Sequence, residues 1–214
     1  MQLSGFDIIQ LILFLVSLTV FTQNPAPFYL KIFPLYFVSS FIVGLIEGYL
    51  QRHGKYNTGV YNIAGIIEFC FYFFVLHEII VNVKIKGFIL FIIFLFPAFT
   101  LINLYFQKKI GFNPVNFTIG SLITVSFSIF YFVELFQRAD SQSLTRLPAF
   151  WITTAILFTV VLTFPFFSFI SFMTKLPELL YKNIVAIFYV INILTSTLYI
   201  IGFLCRIRIR KSIL

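Results

Sequence analysis

The chain has 214 residues, 60% of them hydrophobic, 21% aromatic and only 10% charged, with 32 phenylalanines. A soluble domain carries about 25% charged residues. So few charges cannot solvate this much apolar bulk, which excludes an ordinary soluble enzyme and a disordered chain and leaves the bilayer as the matching solvent. The net charge of +8 therefore reads as attraction to anionic headgroups, not to nucleic acid.

A spanning helix needs about 20 mostly apolar residues. Seven such runs follow one another, at 6–23, 30–50, 59–82, 86–106, 114–137, 148–172 and 181–205. The first carries one side-chain charge, Asp7, and has neither a basic leader nor a small-residue cleavage site, so it reads as a retained helix. The breaks carry Pro, Gly and charge, as helix ends at a membrane surface should: Asn24 to Pro27, Gln51 to Lys55, Lys84 to Gly87, Gln107 to Pro114, Gln137 to Asp140 and Thr174 to Glu178. Barrel strands would be about half as long and strictly alternating. The expected fold is an all-α membrane protein, a seven-transmembrane-helix bundle over 1–205 with a short basic tail over 206–214.

Lys and Arg set the orientation. Six fall on the side of the N-terminus and nine on the other, the tail residues Arg206, Arg208, Arg210 and Lys211 supplying much of the difference. The expectation is an N-terminus outside and a C-terminus in the cytoplasm, in a multi-pass protein of the inner membrane. The tail itself is read as a contact for anionic lipid headgroups or for a cytoplasmic signalling partner. An oligomer is left open.

Polar groups are costly in lipid and should face the bundle interior. Their spacing agrees. Phe37, Ser40, Gly44, Glu47 and Gln51 recur every three or four residues in the second run, and Tyr61, Gly65, Glu68 and Tyr72 do so in the third. Ser121, Thr124, Ser128 and Tyr131 do the same in the fifth, and Tyr189, Asn192, Ser196 and Tyr199 in the seventh. Pro97, Thr100, Asn103 and Gln107 extend the pattern to the fourth run, Thr159 and Thr163 to the sixth.

Glu68 lies near mid-membrane, with no Lys or Arg at its depth, so it must be neutralised, paired or hydrated; a hydrogen bond to Asn192 or a tyrosine is the simplest arrangement. Glu47, Tyr61, Glu68, Tyr72, Asn103, Asn192 and Tyr199 are the candidate ligand-binding residues, lining an outer cavity centred on the second, third and seventh helices. Glu68 reads either as a ligand contact or as an interhelical tie.

Glu134 and Arg138 have i,i+4 spacing for an interfacial ion pair. His77, beside Glu78 near the inner end of the third run, reads as a packed or interfacial residue, and Asn116-Phe117-Thr118 as a chance glycosylation sequon at a membrane boundary. Pro97 and Pro165 should kink their helices, while Pro148 and Trp151 mark a helix start and an interfacial anchor. Cys70 and Cys205 form neither a disulfide framework nor a metal spacing, and His53 and His77 are the only histidines. No nucleophile, metal or nucleotide motif appears, so no enzyme and no cofactor is expected.

The string Tyr61-Asn-Ile-Ala-Gly-Ile-Ile-Glu68-Phe69 resembles the third-helix signature of small seven-helix membrane proteins of Bacteroidota. Ser128-Ile-Phe-Tyr131-Phe-Val-Glu134-Leu135 is similar to their fifth helix, Pro148-Ala-Phe150-Trp151-Ile152 to the start of their sixth, and Asn192 to their polar seventh. The resemblance implies a sensory or receptor-like module, in some cases associated with histidine-kinase signalling. The leading expectation is a sensor that binds a small ligand in the outer cavity. A small-solute transporter or channel using the same seam is the alternative, and a non-catalytic membrane scaffold is the third.

Overall fold

The computed structural model describes residues 5–23, 25–55, 57–107, 112–138, 144–168 and 178–212, with side chains of the last segment described over 182–205. Among the described residues, seven helices are long and apolar enough to cross a membrane. They are α1 (Gly5–Ser17, extended by a 3-10 turn Leu18–Thr22), α2 (Phe33–Arg52, preceded by a helical turn Phe28–Lys31) and α3 (Thr58–Ile79). Then come α4 (Val83–Gln107), α5 (Pro114–Gln137), α6 (Pro148–Ser168) and α7 (Glu178–Ser212). No strand occurs among the described residues.

Helix ends follow local chemistry. Asn113 caps α5, its side chain accepting from Asn116 N, and Pro114 occupies the first turn, where no N–H is needed. Pro148 opens α6, and the Trp151 indole donates to Thr145 O at 2.9 Å, tying the helix to the preceding turn.

The break between α3 and α4 falls at 80–82, earlier than the expected Lys84 to Gly87. Two acceptors explain the shift. The Glu134 carboxylate takes the N–H groups of Val81 and Asn82 at 3.0 and 2.8 Å, and Asn82 Oδ1 takes those of Lys84 and Ile85. The chain is thereby unwound at Val81 and a new helix is capped before the lysines. The expected sixth run extends to 172, of which 169–172 lie outside the described residues. At the other end of the chain, the α7 backbone continues without a break through the basic stretch to Ser212. The side chains of Arg206, Arg208, Arg210 and Lys211 lie outside the described residues.

α6 packs between α5 and α7, and α1 between α2 and α7. α3 touches α2, α4, α5 and α6. The bundle is thus a ring of α1, α2, α3, α5, α6 and α7, with α4 lying against the outside of α3 and α5. The outer face of α4 is apolar and bare: Phe94 is 72% exposed, and Phe91, Leu101 and Ile102 accompany it. Lipid tails are the solvent for that surface.

Aromatic rings fill the interior. Phe33, fully buried, meets Phe71, Phe203, Tyr199 and Phe37 with centroids 4.9, 5.3, 5.6 and 5.7 Å away. A second cluster joins Phe69, Phe73, Phe96 and Phe127. Edge-to-face pairs such as Phe73–Phe96 add orientation to apolar packing.

Candidate functional site: a polar cavity on the N-terminal side

α1, α3, α5 and α7 begin at one face of the bundle, where α2, α4 and α6 end. A cavity of about 360 Å³ occupies the interior on that side. All seven helices contribute to it. Phe6, Asp7, Tyr61, Asn113, Phe167 and Phe188 lie toward the face, and Tyr36, Glu68, Phe69, Phe96, Thr159 and Asn192 lie deepest. Glu68 stands ten residues into α3, about 15 Å along the helix at 1.5 Å per residue.

Glu68 is hydrogen-bonded at the floor. The Tyr72 hydroxyl donates to Glu68 Oε1 at 2.6 Å, and the Tyr36 hydroxyl lies 3.4 Å from that of Tyr72. Tyr36 is held by stacking on Phe71, centroids 4.0 Å apart and planes 4° from parallel. Tyr199 faces the same cluster from α7, with Tyr72 and Thr159 as its polar neighbours, but its buried hydroxyl completes no hydrogen bond. The partner of Glu68 is therefore a tyrosine on its own helix and not Asn192. Asn192 lines the cavity with its Oδ1 buried and unpartnered.

Nearer the face, the Tyr61 side chain is the polar neighbour of Glu47, and Asp7 lies within electrostatic range of Glu47. Asp7 reaches the cavity because α1 and α2 approach closely at Gly44. A β-carbon at Gly44 would stand 2.8 Å from Asp7 Oδ1, a distance real β-carbons essentially never show.

A chain of asparagines closes the α4–α5 side. Asn103 Nδ2 donates to Asn116 Oδ1 at 2.8 Å, Asn116 Nδ2 reaches Thr100 O at 3.5 Å, and the Asn113 N–H donates to Asn62 Oδ1 at 3.0 Å. This clamp ties α3, α4 and α5 together. Asn116 is buried within it, so its sequon has an interior structural use.

Of the sequence candidates, Glu47, Tyr61, Glu68 and Asn192 line the cavity together. Tyr72 lies beneath, reaching it through Glu68; Tyr199 lies beneath among Phe33, Phe37 and Phe203; Asn103 belongs to the clamp. The polar row of α5 is buried but packs between helices: Ser121, Thr124 and Ser128 are each at most 1% exposed and line no part of the cavity.

Sequence reasoning missed the contribution of α1. Its signal was present: Asp7 and Gln10, three residues apart at the head of an apolar run, share one helix face.

The proline expected to kink α4 has a visible consequence. Pro97 has no N–H for the carbonyl of Ile93, four residues earlier, and Cys70 Sγ lies 4.0 Å from that oxygen.

No protein-family model, no curated protein and no solved structure matches the chain.

Proposed function

We propose that this multi-pass membrane protein is a sensor-like module. A small ligand enters the cavity from the N-terminal face, and its binding is passed to the opposite face and the basic tail. In this reading the N-terminus is outside, the tail meets anionic headgroups or a cytoplasmic signalling partner, the membrane is the inner membrane, and no reaction is catalysed. Kinship with small seven-helix membrane proteins of Bacteroidota, through the third, fifth, sixth and seventh helices, is part of the same proposal.

The supporting observation is the continuity between cavity floor and core. Glu68 contacts Tyr72, Tyr72 neighbours Tyr36, and Tyr36 packs on Phe71 and Phe37. Those rings join Phe33, Tyr199 and Phe203, which bring α2, α3 and α7 together. A ligand that changes the hydrogen bonding of Glu68 acts on a group packed into the contact of three helices. Coupling of this kind needs a ligand that favours one arrangement of those helices over another.

The same rings weigh against a continuous channel. Phe33, Phe37, Phe73 and Phe203 are at most 1% exposed beyond the deepest lining residues and fill the lower half of the interior. The test is purification from native membranes in mild detergent, with mass spectrometry of retained small molecules, beside Glu68→Gln. A molecule retained by the parent and lost in the variant is the expected result. Solute flux in proteoliposomes that Glu68→Gln abolishes would replace the sensor with a carrier.

A further inference from the structure

We propose that the cavity takes a small organic cation, an ammonium group carrying an apolar or aromatic body. This rests on the reading of the cavity as a ligand site. The chain has 15 Lys and Arg against seven Asp and Glu. Scattered placement would line the cavity with bases twice as often as with acids. Instead Asp7, Glu47 and Glu68, three of the seven acids, line it, and no Lys, Arg or His does so among the described residues. A carboxyl group within a bundle is costly without a donor or a positive charge beside it. Tyr61 and Tyr72 stand as donors beside Glu47 and Glu68, and among the described residues no Lys, Arg or His of the lining stands beside those two acids.

The neutral polar groups point the same way. Thr100 is 1% exposed and lines the cavity with a hydroxyl that has no partner. Gln10 Oε1 and Asn192 Oδ1 are also buried, unpartnered acceptors of the lining. One orphaned donor, Asn113 Nδ2, stands against these oxygens. Two orphaned carbonyl oxygens thus stand against one orphaned amide donor, with the Thr100 hydroxyl able to serve as either, and an ammonium group brings up to three N–H donors.

Size and wall chemistry specify the remainder of the ligand. About 360 Å³ is within the range of small-molecule sites, roughly 300–1,000 Å³, and far larger than a bare ion needs. The acids do not gather as a metal-ligand set among the described residues; they are spread along the cavity from Asp7 at its mouth to Glu68 at its floor. Phe69, Phe96, Phe117 and Phe167 present rings to the same space, and aromatic rings accept both apolar bodies and cations.

The test uses the full chain in mild detergent, with thermal unfolding followed in titrations of 2-phenylethylamine, the neutral 2-phenylethanol, the anionic 3-phenylpropionate and sodium chloride. The amine alone should raise the unfolding temperature in a saturable way. Glu47→Gln and Glu68→Gln should each raise its half-saturating concentration about tenfold or more. Should Glu68→Gln fail to fold, Glu47→Gln and Asp7→Asn carry the test. A shift by the alcohol equal to that by the amine, or a preference for the carboxylate, would overturn the cation and leave the ligand site standing. Full stabilisation by sodium alone would make the site an inorganic one and overturn the organic body. No shift with any probe at millimolar concentration would overturn the inference, and the retained-molecule experiment above then decides the ligand-site reading separately.

Discussion

The Tyr72 hydroxyl and Glu68 Oε1, one turn apart on α3, are joined by a 2.6 Å hydrogen bond at the floor of the cavity. The pair is intrahelical, so it does not by itself hold two helices together. Its effect on packing comes through Tyr36 of α2, whose hydroxyl lies 3.4 Å from that of Tyr72. Tyr72→Phe removes the donor and leaves the acid without its hydroxyl partner. The expected loss is about 1 kcal/mol, within the range of polar contacts inside membranes, read from unfolding in mixed micelles of increasing SDS fraction. Combined with Glu68→Gln, the two changes should be non-additive by about 0.6–2 kcal/mol. Strict additivity would mean that the hydroxyl and the acid contribute independently.

At Gly120 the issue is space. A β-carbon there would lie 2.6 Å from the Phe69 ring, and Phe69 is 2% exposed with rings of α4 and α5 around it. Gly120→Ala should therefore force α5 away from α3 and cost about 1–3 kcal/mol, as overpacking does. Gly65→Ala is the control, since nothing lies within 4 Å of its β-position although it lines the cavity. It should leave stability nearly unchanged while narrowing the cavity. Equal losses at the two glycines would point to backbone effects instead of the Phe69 contact.

The asparagine clamp is tested at its central residue. Asn116 accepts from Asn103, reaches the Thr100 carbonyl and donates its own N–H to the cap residue Asn113. Asn116→Ala removes the acceptor of the part-buried Asn103 amide and the donor to Thr100 O, and should cost about 1 kcal/mol. Asn116→Asp retains an acceptor for Asn103 but no donor for Thr100 O, and should recover part of the loss. The same SDS titration ranks the parent, Asp and Ala forms in that order.

The sequence carried the bundle more clearly than the site. Run length and apolarity mark all seven helices, because lipid demands about 20 apolar residues whatever their neighbours are. The cavity residues on α2, α3 and α7 were legible because polar groups at helical spacing must share one face, as Glu47, Glu68 and Asn192 do.

Facing inward does not distinguish a cavity from a packed interface. For this reason Ser121, Thr124 and Ser128 had the same periodic signal as the cavity wall and proved to be packing residues. Sequence alone puts the α3–α4 break late because Lys84 and Lys86 are conspicuous, whereas the group that ends the helix is Glu134, 53 residues from Val81 in sequence. No local reading reaches a contact of that range.

Glu134 yields the last prediction, because two roles of one side chain separate by their partners. Its carboxylate accepts from Val81 N and Asn82 N at the start of α4 and pairs with Arg138 Nη2 at 3.0 Å. Arg138 is 41% exposed and Glu134 only 15%. The exposed ion pair should be weak, so Arg138→Ala is expected to change stability by no more than about 0.5 kcal/mol. Glu134→Ala removes the acceptor of two backbone N–H groups and the negative charge at the N-terminus of α4, and should cost about 1–2 kcal/mol. Glu134→Gln keeps one acceptor oxygen without the charge and should fall between them. Hydrogen exchange at Val81 and Asn82 gives the independent readout: faster in Glu134→Ala, parent-like in Arg138→Ala. Equal effects of the two alanine variants would assign the stabilisation to the ion pair and remove the capping role.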